Sequence, residues 1–182
     1  MTSAPLAWIR RQWANPAYRF VAFFLCNLGI LALVYSILLR KAPGFNESLT
    51  TATAAIDYWL MSLFTSGVQR TGTLLSFGTF SIEIVGECTG THEALILTAA
   101  VVAFRARWTK KLIGLLLGIL LIFGFNVLRI LLLLAVGHYW PSAFHFLHIY
   151  FWQATMILMV ASVWLLWVYV VVRDEEGPAL RS

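Results

Sequence analysis

Three stretches of this chain, Tyr18 to Leu39, Leu112 to Val136 and Ile149 to Val172, run almost without a charged residue. Each is long enough to cross a hydrocarbon core of about 30 Å, which takes about 20 apolar residues in a helix. A fourth apolar stretch, from Thr91 to Phe104, is shorter and spans only if its helix begins near Cys88 and runs on to about Ala106. With 60% hydrophobic and 12% charged residues and a mean hydropathy of +0.82, the chain belongs to the membrane class. Its net charge of +5 does not point to nucleic acid, because the basic residues are scattered in short clusters between apolar runs. Two cysteines, Cys26 and Cys88, make neither a disulfide framework nor a CxxC motif.

The expected architecture is a single all-α membrane domain over residues 1–182, with about four spans at 18–39, 88–106, 112–136 and 149–172. The first span exceeds an h-region of about 7–15 residues and is read as an uncleaved helix. Arg10, Arg11 and Arg19 precede it, Arg105, Arg107, Lys110 and Lys111 separate the second and third spans, and Arg173 and Arg181 follow the fourth. Only Arg40, Lys41 and Arg70 oppose them, so the positive-inside bias puts both termini in the cytoplasm, with a cytoplasmic tail at 173–182. The chain is thus expected to be a multi-pass protein of the cytoplasmic (inner) membrane. Its extracytoplasmic segment, 40–87, holds an interfacial amphipathic helix, in which Ile56, Trp59, Leu60, Leu63 and Phe64 recur at helical spacing with the polar Asp57, Ser62 and Thr65 among them. A short β-hairpin around Gly78-Thr79 follows, with Phe80, Ile82 and Ile84 on one face.

This topology gathers the reactive side chains at the outer face: Cys88 at the head of the second span, Arg129 late in the third, His148 at the start of the fourth, and His92, His138 and His145 with Glu87 and Glu93. Arg129 is the strongest signal, since an arginine in a span costs about 2.5–3.5 kcal/mol at the helix centre and usually faces a bundle interior or wet cavity. A snorkelling anchor is the bland alternative. Asn126, less than one turn earlier, adds a polar group on the same face. Cys88 could be a small buried core residue, as Cys26 is expected to be. A helix N-terminus beside a cation and at the aqueous boundary is, however, where reactive thiols are found, and Gly86 and Gly90 would admit a peptide backbone.

Spacing alone nominates His92, four residues beyond Cys88, as the base, while His148 reaches Cys88 only through the tertiary fold. A zinc site of Cys88, His92, His145 and His148 is a competing reading, weakened by the absence of any HExxH pattern. A non-catalytic membrane assembly subunit is another. Haem would want histidines deeper in the bundle, and no cofactor is expected.

The cysteine of "ECTG", the arginine of "NVLR" and the histidine of "FLHIYFWQ" resemble the motifs of the exosortase/archaeosortase family of membrane transpeptidases, over about Thr73 to Val172. The small size, the link "RWTKKLIGLLLG" and the form "HIYFWQ" look most like the subtype called exosortase H. The resemblance implies that Cys88 is the nucleophile, Arg129 the charge stabiliser and His148 the proton-transfer group. His148 thereby replaces His92 as the expected base. It implies substrates that are secreted proteins with a C-terminal sorting signal, comprising a short motif, one transmembrane helix and a basic end. For subtype H the motif would resemble Ile-Pro-Thr-Leu followed by tryptophan. The lipid bilayer and an unidentified acceptor nucleophile are the other expected partners. Glu87, Gly90, His92, Glu93, Asn126, Trp59, Phe80, Tyr150 and Trp152 are candidate substrate contacts.

Overall fold

The computed structural model describes residues 13–172. The cytoplasmic tail expected at 173–182, and with it Arg10, Arg11, Arg173 and Arg181, lies outside the described residues. Helix α1 (Pro16–Lys41) starts where the Asn15 side chain accepts the Ala17 N–H at 2.9 Å and Pro16 occupies the first turn. It ends just before Pro43, with Arg40 and Lys41 complementing the negative end of the helix dipole. None of its residues is buried, and its many exposed apolar side chains suit a helix long and apolar enough to cross a membrane.

Helix α2 (Pro43–Ser62) is twice as long as its apolar signature suggested. Its buried stripe, Thr50, Thr53, Ala54, Asp57 and Met61, follows helical spacing, while Ile56 and Trp59 stay exposed. The amphipathic helix therefore exists, but Asp57 lies on its buried face and not among its solvated residues. After it come β1 (Val68–Thr71), β2 (Leu74–Phe77) and β3 (Phe80–Glu83), an antiparallel sheet in the order β1-β2-β3. The expected hairpin is β2–β3, with Phe77 opposite Phe80 and the Ser76 and Ser81 hydroxyls 2.8 Å apart. Strand β1 was not anticipated, because only Val68 of its four residues is buried and "VQRT" carries no alternation.

A single 3-10 turn, Gly86–Cys88, leads to α3 (Thr91–Ala103). That helix begins three residues later than expected. Gly90 interrupts the chain at a φ of +74°, a left-handed conformation that glycine adopts without cost. At 13 residues α3 is about 20 Å long, short of a bilayer core. Helices α4 (Trp108–Tyr139) and the run Pro141–Val172 are, with α1, long and apolar enough to cross; the fourth span expected at 88–106 is not shown. Within that last run a short α5 (Pro141–Phe146) continues through a π-helical turn, Leu147–Phe151, into α6 (Trp152–Trp167). Helix α4, about 48 Å long, is the axis of the molecule.

Its buried positions Gly114, Gly118, Ile122, Asn126, Ile130 and Leu134 recur every four residues and hold two clusters. One is the bundle core, Leu97, Val101, Ile122, Val160 and Trp167. Gly114 and Gly118 let this core close: a Cβ at Gly114 would stand 2.4 Å from Trp167 Nε1, and one at Gly118 2.4 Å from Leu97 Cδ2. The other is a roof in which Ala54, Met61, Leu75, Phe77 and Ile84 from α2 and the sheet pack on Ile130 and Leu134. Gly137 is where Phe80 rests, since a Cβ there would lie 2.0 Å from its ring. Gly137→Ala should therefore destabilise the roof by about 1–3 kcal/mol, read as a lowered Tm in detergent, whereas Gly124→Ala, where a Cβ meets nothing within 4 Å, should not.

Candidate active site

Cys88 ends the 3-10 turn, its N–H bonded to the Val85 carbonyl at 2.8 Å. The turn is closed by Thr89, whose hydroxyl donates to the Gly86 carbonyl at 2.7 Å and pairs with the Thr91 hydroxyl at 2.7 Å. The Asn126 side chain, fully buried on α4, donates its amide to the Cys88 carbonyl. Gly90 brings the backbone close enough that a Cβ would touch Asn126 and Ile122 at 3.5 Å. Cys88 is thus fixed against α4 by its backbone, while its half-buried side chain packs on the roof cluster.

Arg129, just under one turn beyond Asn126, and His148, in the π-helical turn, line one cavity of about 850 Å³. Glu87, the neighbour of Cys88, lines it too, with His92, Glu93 and Gln153. Its remaining walls are apolar, among them Phe20, Phe24, Ile96, Met156, Ile157 and Trp164. Three buried polar atoms of its lining residues have no partner among the described residues, Arg129 Nε, His148 Nδ1 and Glu93 Oε2, and neither has Asn126 Oδ1 nearby on α4. Buried polar groups left unpaired are costly, so a polar group entering the cavity would relieve that cost. The His148 ring is stacked on Phe144, with centroids 5.4 Å apart and planes at 7°. Phe144 in turn meets Phe80 of β3 edge-on at 4.9 Å. The roof therefore supports His148 through an aromatic chain that sequence spacing could not reveal.

The other candidates divide. His92 lines the cavity with its ring edge-on to Tyr35 at 5.8 Å. Trp152 is buried against Phe125 and is a packing residue. Tyr150 and Trp59 are exposed, and Phe80 is committed to Gly137 and Phe144. His138 packs on Phe77 and Tyr139 in the roof. Among the described residues no group of three His, Cys, Asp or Glu stands close enough to hold a metal ion, which leaves the zinc quartet without geometric support.

The chain belongs to the transmembrane exosortase family, whose family model matches residues 4–168. Comparison with curated proteins and with solved structures gives no match.

Asp57 is the residue that sequence reasoning misplaced. It is fully buried, both carboxylate oxygens lack partners among the described residues, and burial pushes its carboxyl from 3.8 up to about 8. Because the folded state holds this proton where the unfolded chain has released it, stability falls as pH rises from about 4 to about 8. Asp57→Asn should remove that slope. The Tm of wild type should drop by about 5–15 °C between pH 5 and pH 8, while the variant's Tm changes less.

Proposed function

We propose that this protein is a membrane-embedded cysteine transpeptidase or endopeptidase that cleaves the C-terminal sorting signal of secreted proteins on the extracytoplasmic side. The observation that carries the reading is the convergence of Arg129 and His148 on one cavity beside the turn that holds Cys88. The apolar walls that extend from this polar end along α1, α3 and α6 fit a substrate that is itself membrane-anchored. Its single transmembrane helix would lie against them, presenting the short motif at the level of Glu87 and Arg129. The subtype reading, exosortase H, adds an Ile-Pro-Thr-Leu-like motif to this expectation.

In the proposed reaction the Cys88 Sγ turns from the roof cluster toward the cavity and attacks, as thiolate, a backbone carbonyl of the motif. The C–S bond forms as the carbonyl π electrons move to oxygen, and the guanidinium of Arg129 donates to that oxyanion. Collapse of the adduct breaks the C–N bond, with the imidazolium of His148 delivering a proton to the departing amine. The thioester left on Cys88 is then attacked by a second nucleophile, whose proton passes to His148 as Cys88 leaves. An amine acceptor gives transpeptidation and water gives hydrolysis. Asn126 and Phe144 act in this scheme as positioning residues, the first for the Cys88 backbone and the second for the His148 ring.

Co-expression with a membrane-anchored substrate carrying a matching signal tests the assignment. Cys88→Ala should abolish processing, Arg129→Ala should lower it about 10²–10³-fold, and His148→Ala about 10²–10⁴-fold, with His92→Ala near wild type. Loss with His92→Ala and activity with His148→Ala would transfer the proton-transfer role to His92. Undiminished cleavage by Cys88→Ala would end the thiol mechanism.

A further inference from the structure

A second cavity, of about 660 Å³, opens at the other end of α3 from Cys88. Three cations line it: Arg19 from the first turn of α1, Arg105 from the link between α3 and α4, and Lys111 from the first turn of α4. No Asp or Glu is among its lining residues. Arg19 and Arg105 are exposed. Lys111 is different, being only 8% exposed. Its ammonium donates to the Val102 carbonyl at 2.7 Å and lies 4.9 Å from the centre of the Trp108 ring. The carbonyl takes one N–H and the ring face offsets part of the charge, but no carboxylate among the described residues lines the cavity to complete it, and a buried charge without a counter-ion is costly.

The same cavity has an apolar half, formed by Pro16, Phe20, Phe23 and Phe104. Phe20 packs against Phe104 and Trp164, and this aromatic group stands between the two cavities. A ligand that matches both halves carries an anionic oxygen cluster at one end and hydrocarbon at the other. Free phosphate would satisfy the cations alone. The position of the cavity favours the amphiphile: it opens beside α1, none of whose residues is buried and many of whose apolar side chains are exposed, at the end of the bundle that the Lys and Arg bias assigns to the cytoplasmic leaflet, where anionic lipids concentrate.

We propose that this crevice binds the phosphodiester headgroup of an anionic membrane phospholipid. The phosphate oxygens accept from the guanidinium groups of Arg19 and Arg105 and neutralise Lys111, while the glycerol and first methylenes of the acyl chains lie on Phe20, Phe23 and Phe104. The site is separate from the thiol chemistry, so neither proposal stands or falls with the other.

The test uses the full chain in nanodiscs of equal phosphatidylglycerol and phosphatidylcholine, extracted in mild detergent and weighed by native mass spectrometry. Wild type should retain phosphatidylglycerol in preference to phosphatidylcholine by about tenfold or more, and Arg19→Gln/Arg105→Gln should bring the two near parity. Lys111 is left unchanged to preserve its bond to Val102, and Arg70→Gln, on strand β1, should behave as wild type. Millimolar inorganic phosphate during extraction should not displace the lipid. Retention by the double variant equal to wild type would overturn the proposal, as would displacement by inorganic phosphate, which would make the site one for a soluble anion.

Discussion

The bond from the Asn126 amide to the Cys88 carbonyl joins the two parts of this molecule on which the candidate chemistry depends. On one side is a turn in a segment whose side chains pack into the roof; on the other is the long axial helix that carries Arg129. Asn126 is fully buried, so its amide must be paired, and the carbonyl of Cys88 is the partner that pairs it. Breaking that bond would strand a donor in an apolar helix interface at a cost of about 1–3 kcal/mol. A side chain on a loop is placed only as well as the loop is held, and here the loop is held to the helix that carries Arg129.

The roof extends the same logic to His148. Phe80 reaches across the bare backbone of Gly137, meets Phe144, and Phe144 stacks on the imidazole. Small residues on α4 therefore do two jobs at two depths. Gly114 and Gly118 close the bundle core around Trp167 and Leu97, and Gly137 seats the sheet. The short α3 has neighbours on three sides in α1, α4 and α6, and Leu97, Ala99 and Val101 are fully buried there. At its carboxyl end Lys111 caps the Val102 carbonyl, which supplies a partner for one of the last-turn carbonyls that a short helix leaves open.

The long apolar helices were legible because hydropathy needs no tertiary context, and Cys88, Arg129 and His148 were legible as polar exceptions at their ends. What failed to show was whatever depends on a neighbour. Helix α3 starts at Thr91 because Gly90 takes a positive φ against α4, which no periodicity signals. Strand β1 exists because β2 offers it a partner; its own sequence is polar. Asp57 read as the wet side of an amphipathic helix, yet the stripe of Thr50, Thr53 and Ala54 is small enough to pack tightly, and it carries Asp57 into the core with it. Trp152 read as a substrate contact and is instead wedged against Phe125. His92 and His148 face the same cavity, so local spacing and family likeness each had a physical basis for the histidine they favoured.

The central claim is a covalent one, that the peptide carbonyl is transferred to Cys88, and it is tested most directly by trapping the acyl-enzyme. Protein mixed with a sorting-signal substrate, quenched in acid and digested, would be examined for a mass increment on the peptide containing Cys88. The account predicts an adduct of the substrate's amino-terminal fragment on that peptide, lost on treatment with neutral hydroxylamine as thioesters are. Cleavage of the substrate with no adduct at Cys88, or an adduct that hydroxylamine leaves intact, would contradict it.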